Sequence, residues 1–198
     1  MESFDAVSCA RARTREDLVA LVAAGARPKW LMFWGHQPQR DGAVGREALS
    51  QWWLSPFTVE GVAYPSAEHW MMAGKARLFG DDASLAAVLS ARTPAEAKEH
   101  GRLVRGFSEE RWAAARFGLV VAGNLAKFQQ HPALATYLLG TGNRVLVEAS
   151  PLDRVWGIGL AADDGRATDP TRWKGQNLLG FALMETRARL EDADHRMP

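Results

Sequence analysis

Pro56-Phe57-Thr58-Val59-Glu60-Gly61-Val62-Ala63-Tyr64 runs straight into Pro65-Ser66-Ala67-Glu68-His69-Trp70-Met71-Met72-Ala73-Gly74-Lys75, and the hydrophobic pattern changes at the junction. The first nine residues read as a β-hairpin with Glu60-Gly61 at its tip. From Ser66 the spacing turns helical. Ser66 is placed to cap, and Trp70, Met71, Ala73, Leu78 and Phe79 make an apolar stripe. Upstream, Thr14 caps a short helix carrying Leu18, Val19, Leu21 and Val22, ended by Gly25 and Pro28. Lys29 to Trp34 reads as a strand, and 35–47 as a loop. Downstream, Gly80-Asp81-Asp82 stops the first helix and restarts another to about Leu89. Thr93, Pro94 and Glu96 open a helix to about Leu103. Ser108-Glu109-Glu110 opens the longest, running to Phe128, and Pro132 opens one closed at Gly140-Thr141-Gly142. Arg144 to Glu148 is a strand, 150–174 a loop, and Gln176 to Leu190 a final amphipathic helix. Few strands among many helices, without strict alternation, predict an α+β fold: a single helix-rich domain with a small β-sheet.

The length of 198 residues fits one such domain. No linker or internal repeat divides the chain, which reads as a helical extension (1–28), a domain (29–190) and a polar tail (191–198). Lys and Arg number 24 against 23 Asp and Glu, so the net charge is +1. That balance argues against a protein gripping long nucleic acid through its phosphates, and leaves room for a small anionic ligand. The single cysteine, Cys9, excludes a disulfide framework and a multi-cysteine zinc site. No run has the length of a signal peptide or membrane span, so the cytoplasm is the expected compartment and no membrane is an expected partner. Tryptophan occurs 8 times against 2 tyrosines. Indole surfaces serve cores and also stack on heterocycles.

The usual nucleotide and metal motifs are missing. There is no phosphate-binding Gly loop followed by Lys-Ser/Thr, no GxGxxG after a strand, and no GxSxG elbow. The histidines at 36, 69, 100, 131 and 195 lack ligand spacing, so neither a metal nor a cofactor is expected.

Three constellations carry chemistry. On a helix, Glu68, Met71, Met72 and Lys75 share one face, placing a carboxylate and an amine two turns apart among apolar side chains. A desolvated carboxyl group is drawn toward the general-acid range, and a desolvated lysine becomes a nucleophile. A surface salt bridge, or a Glu favoured by the helix dipole, fits the same pattern. The second constellation is Glu148, Asp153, Trp156, Gly157 and Gly159 on a strand end and its loop, where glycine permits close approach of a ligand. On the residues alone, a Gly/Pro turn with Trp156 covering the core is the better reading there. The third is Trp112, Arg116, Asn124 and Lys127 on one helix, an indole and cations suited to a base and its phosphate, or to an ordinary amphipathic helix.

In one order these pieces resemble the NADAR family over roughly 30–190: Phe33-Trp34, Leu49-Ser50-Gln51-Trp52-Trp53, Ser55-Pro56-Phe57, Tyr64 to His69 with Lys75, Trp112 with Arg116, Lys127-Phe128, Leu138 to Gly142, Leu146-Val147-Glu148, Trp156-Gly157-Ile158-Gly159, and Gly175 to Gly180 through Leu183-Met184 and Arg187. Two departures stand out. Many members carry Asn where this chain has Gln51, and some carry Asp where it has Ile158.

The resemblance implies an N-glycosidase acting on an N-ribosidic bond. Its substrates would be ribosylamino-pyrimidine phosphates of riboflavin biosynthesis, or ADP-ribosylated guanine, free or in nucleic acid. Such cleavage needs a proton for the departing nitrogen and support for positive charge on the ribose. Glu68 is the candidate acid/base, and Asp153 or Glu148 the candidate for the cation or the water. Alternatively Lys75 attacks the anomeric carbon and passes through a Schiff base. Trp112, with Phe33 or Trp156, would stack the base, and Arg116 and Lys127 would take the phosphate. Gly157, Gly159 and Asn177 complete the expected substrate-binding set. Two other classes fit the same residues: a non-catalytic ADP-ribose or nucleotide-binding module, and a structural partner-binding domain. The first would need the stacking rings and cations without the carboxylate–amine pair, and the second would have no nucleotide affinity.

Overall fold

The computed structural model describes residues 8–37 and 43–194. The start of the expected N-terminal extension, part of the 35–47 loop, and His195 with the end of the tail lie outside them. The helices are α1 (Arg15–Ala23), α2 (Ala67–Phe79), α3 (Asp82–Ser90), α4 (Pro94–Arg102), α5 (Glu109–Gln130), α6 (Pro132–Gly140) and α7 (Leu178–Asp194). The strands are β1 (Trp30–Phe33), β2 (Leu54–Val59), β3 (Val62–Ser66) and β4 (Val145–Glu148). The fold is helix-rich α+β. The single small sheet expected from sequence is two separate pairs among the described residues: β1 with β4, parallel, and β2 with β3, antiparallel. Residue contacts divide the chain into two compact units, one made of residues up to Ser50 and from Ala133, the other of Gln51–Pro132.

In the second unit the hairpin turns through Glu60 (φ 50°) and Gly61 (φ 80°), the two positive values a tight two-residue turn requires. Ser66 accepts the His69 N–H and starts α2, and Gly80 (φ 68°) ends it. The long helix α5 crosses α2 where glycines leave room. A side chain at Gly74 would collide with Leu119, and one at Gly123 with the Trp70 ring. The Trp70 indole donates to Leu119 O at 2.8 Å across this contact. His69 is fully buried between Ser66 and Ala91. Because Ala91 O can only accept, His69 Nε2 carries the proton and Nδ1 takes the Ser66 hydroxyl. His69 therefore pins α2 to the end of α3. The hairpin is fastened to α5 by Gln130, whose Oε1 accepts the Thr58 N–H and whose Nε2 donates to Thr58 O, each at 2.9 Å.

In the first unit, β4 is buried along Val145, Leu146 and Val147 and packs on α7. The helix α7 begins two residues later than expected because Asn177 takes φ 56°. It runs past Leu190 to Asp194, with Glu191 one turn beyond the buried Arg187 and favouring its charge. Arg187 donates to Thr141 Oγ1 and Arg144 O, closing the turn that follows α6. Burial lowers its pKa to about 10.

Candidate active site

The helix α2 carries both members of the first constellation. Glu68 lies in its first turn with only 2% of its surface exposed, and its N–H donates to Gln51 O at 3.0 Å. Met71 and Met72 on the same face are buried. Lys75, seven residues on and roughly 10 Å along the helix axis, is half-buried. Its Nζ donates to Gly101 O at 2.8 Å and sits 4.4 Å from the centroid of the Phe107 ring and 5.8 Å from that of Trp112. Burial lowers the Lys75 pKa, and the nearby Glu109 charge works against that shift.

The start of α5 completes this end of the site. Trp112 and Arg116 are buried, and Arg116 Nη1 meets Glu109 Oε1 at 3.1 Å. Lys75, Trp112 and Arg116, three of the sequence candidates, are thus gathered around Glu109. Lys127 lies farther along α5, fully buried, and desolvation lowers its pKa to about 7. Sequence reasoning missed Phe107 and Glu109 as parts of this cluster. Phe107 falls between two expected helices, and Glu109 counts in the sequence only as an acidic residue of a helix start. The seven-residue step from Glu109 to Arg116, two helical turns, was the available sign for the latter.

The loop candidates of the first unit behave differently. Asp153 Oδ1 accepts two backbone N–H groups, Val155 at 2.8 Å and Trp156 at 2.7 Å, so it shapes the loop. Asn177 is fully buried. Its Oδ1 accepts the Glu148 N–H and its Nδ2 donates to Leu146 O, both at 2.9 Å, so it stands where a strand would beside β4. A side chain at Gly157 would come within 2.9 Å of Glu148 O, and one at Gly159 (φ 67°) within 2.9 Å of the Lys174 side chain. These glycines let the loop fold back on itself. Carbonyls of Arg154, Val155, Trp156 and Gly157 accept the N–H groups of Gln176, Leu178, Leu179 and Asn177, so the donors at the start of α7 are already engaged. Glu148 and Trp156 are half-buried, and Phe33 is buried at the end of β1. This unit also holds an open depression of about 620 Å³ lined by Trp34, Gly35, Arg46, Glu47 and Tyr137 among others, none of them predicted. Burial raises the Tyr137 pKa, and the Glu47 charge adds to it.

Among the described residues no three His, Cys, Asp or Glu side chains gather as metal ligands, and no helix is long and apolar enough to cross a membrane. A helix-rich α+β chain with a buried carboxylate and a desolvated amine on one helix defines the class, and the chain belongs to the NADAR domain family, whose model matches residues 32–191. It is similar to N-glycosidase R617 of Acanthamoeba polyphaga mimivirus, 39% identical over 164 residues that cover 80% of this chain and 95% of that protein. The NMR structure of Escherichia coli YbiA matches with a TM-score of 0.68 at 26% identity, covering 87% of this chain and 90% of that one. The riboflavin biosynthesis protein VVA0006 of Vibrio vulnificus (strain YJ016) is 32% identical over 144 residues, which are 73% of this chain and 35% of that protein.

Proposed function

We propose that the chain is an N-glycosidase hydrolysing the bond between ribose C1′ and an exocyclic base nitrogen, in a ribosylamino-pyrimidine phosphate or in ADP-ribosylated guanine. The observation that carries this reading is the pair on α2: Glu68 removed from bulk water and Lys75 desolvated on the same helix. The kinship with R617 and YbiA, both named N-glycosidases, supports the reaction class. The kinship with a riboflavin biosynthesis protein supports the pyrimidine branch.

Cleavage of C1′–N leaves the bonding pair on nitrogen, and Glu68 delivers the proton that neutralises it. The ribose carbon then carries positive charge. Water adds to C1′ and its released proton returns to the Glu68 carboxylate. Asp153 Oδ1 already holds two N–H groups of its own turn, so Asp153 serves that turn rather than the ribose cation. Trp112 offers the stacking face and Arg116 the charge for a phosphate, while Lys127, fully buried farther along α5, is left out of that role. In the covalent route Lys75 Nζ takes the place of water at C1′, the base leaves with the proton, and ring opening gives an imine that water hydrolyses. The lowered Lys75 pKa enlarges the neutral, nucleophilic fraction.

The test is base release, followed by chromatography, from the ribosylamino-pyrimidine phosphate and from ADP-ribosyl-guanosine, repeated with borohydride present. Release is expected from one of the two. A reduced ribosyl adduct on the Lys75 peptide marks the covalent route, and release without an adduct marks direct attack by water. Bound but unchanged substrates after long incubation would leave a binding module instead.

A further inference from the structure

Gln51 is 6% exposed, and both ends of its amide, Oε1 and Nε2, are shielded from solvent without a hydrogen-bond partner among the described residues. A protein interior rarely leaves a donor and an acceptor of one side chain unmatched, because the lost hydration is not replaced. Asn124 makes the contrast. Its Oδ1 is also unmatched, but its Nδ2 is spent on Val120 O, so it offers an acceptor alone. Gln51 offers the full pair.

Its position in the chain matters as much as its chemistry. Gln51 O accepts the Glu68 N–H at 3.0 Å, so its backbone is fastened to the residue that bears the proposed acid. With Glu68 as the acid, a side chain carried by the backbone beside it is nearer the departing base than the far end of a nucleotide. A planar carboxamide presents N–H beside C=O, the complement of a ring C=O beside a ring N–H. Guanine has this lactam edge, and so does a pyrimidinone.

We propose that Gln51 reads the leaving heterocycle, its Nε2–H donating to a ring carbonyl and its Oε1 accepting from the adjacent ring N–H, so that the site selects lactam bases. The proposal rests on the assignment of Glu68 as the acid at the base-bearing end.

The test uses the full chain and isothermal titration with guanosine 5′-monophosphate and its O6-methyl analogue. Methylation caps the carbonyl oxygen and removes the ring N–H. The wild type should prefer the unmethylated nucleotide by at least ~30-fold, because a site built to hydrogen-bond rejects a ligand lacking the group. In Gln51→Met, of similar length and apolar, the preference should fall to within ~3-fold while the melting temperature holds or rises. A merely structural glutamine would instead lower it. Gln51→Leu, which removes donor and acceptor together, should lose the preference as well and serves if the Met variant does not fold. Equal binding of the two nucleotides by the wild type, no binding of either, or a preference surviving both substitutions overturns the proposal. Base release from ADP-ribosyl-guanosine is measured separately. Its absence alongside an intact preference would sink the glycosidase reading and leave Gln51 as the base reader.

Discussion

The α2–α5 pair and the 149–177 loop both contain residues that look functional, yet they spend their polar atoms in opposite ways. On the helices, Glu68, Lys75, Arg116 and Lys127 are ionisable side chains taken out of water, and two of them have lowered pKa values for that reason. In the loop, Asp153, Asn177 and the glycines serve the backbone: turn N–H groups, a strand edge, a tight reversal. Desolvated charge is costly unless something is gained from it, whereas a saturated loop amide already has its stabilising partner. The difference is the ground for the reactivity we propose for the helices, and it gives the loop residues a shaping role.

Glu68→Gln should break turnover most, by about 100- to 10,000-fold with the fold intact, as removal of a general acid does. Circular dichroism beside base release checks both halves of that statement. Lys127 gives the second effect. Its folded pKa of about 7 lies below the ordinary 10.5, so between those pH values the unfolded chain holds the extra proton and stability climbs with pH. Lys127→Met should flatten that climb in urea titrations at pH 7, 8.5 and 10, and an unchanged slope would take the lysine's burial out of the account. Asn177→Ala should cost about 2 kcal/mol, from two lost buried hydrogen bonds, and read out in melting temperature. Turnover per folded molecule should change less than ~3-fold if the residue acts only on β4. Asp153→Asn keeps an oxygen for the Val155 and Trp156 N–H groups and should lower activity by less than ~10-fold. A loss matching that of Glu68→Gln would erase the contrast between the two regions.

Much of the fold was legible because its punctuation is local. Thr14, Ser66, Thr93 and Ser108 each cap the helix they precede, and Gly80 closes α2. The sheet was less legible. Pairing of β1 with β4 joins residues more than a hundred apart, and no nearby residue announces that their ladder stays separate from the hairpin. Of the site, the helical face of Glu68 and Lys75 followed from spacing alone. The aromatic wall at Phe107 did not, because a loop residue has no period to betray it. Asn177 shows the reverse problem: a polar residue in a glycine-rich stretch looks like a ligand contact until its amide is found against β4.

The Gln130 amide has a consequence for the chain's behaviour in a crowd. Thr58 has both its backbone groups taken by that side chain, and Pro56 has no N–H and gives its carbonyl to His131. Another polypeptide sliding along this outer rim of β2 meets neither a donor nor a free oxygen at those positions. Polymerisation by strand addition, the common failing of an open hairpin, is blocked here by one glutamine and one imidazole.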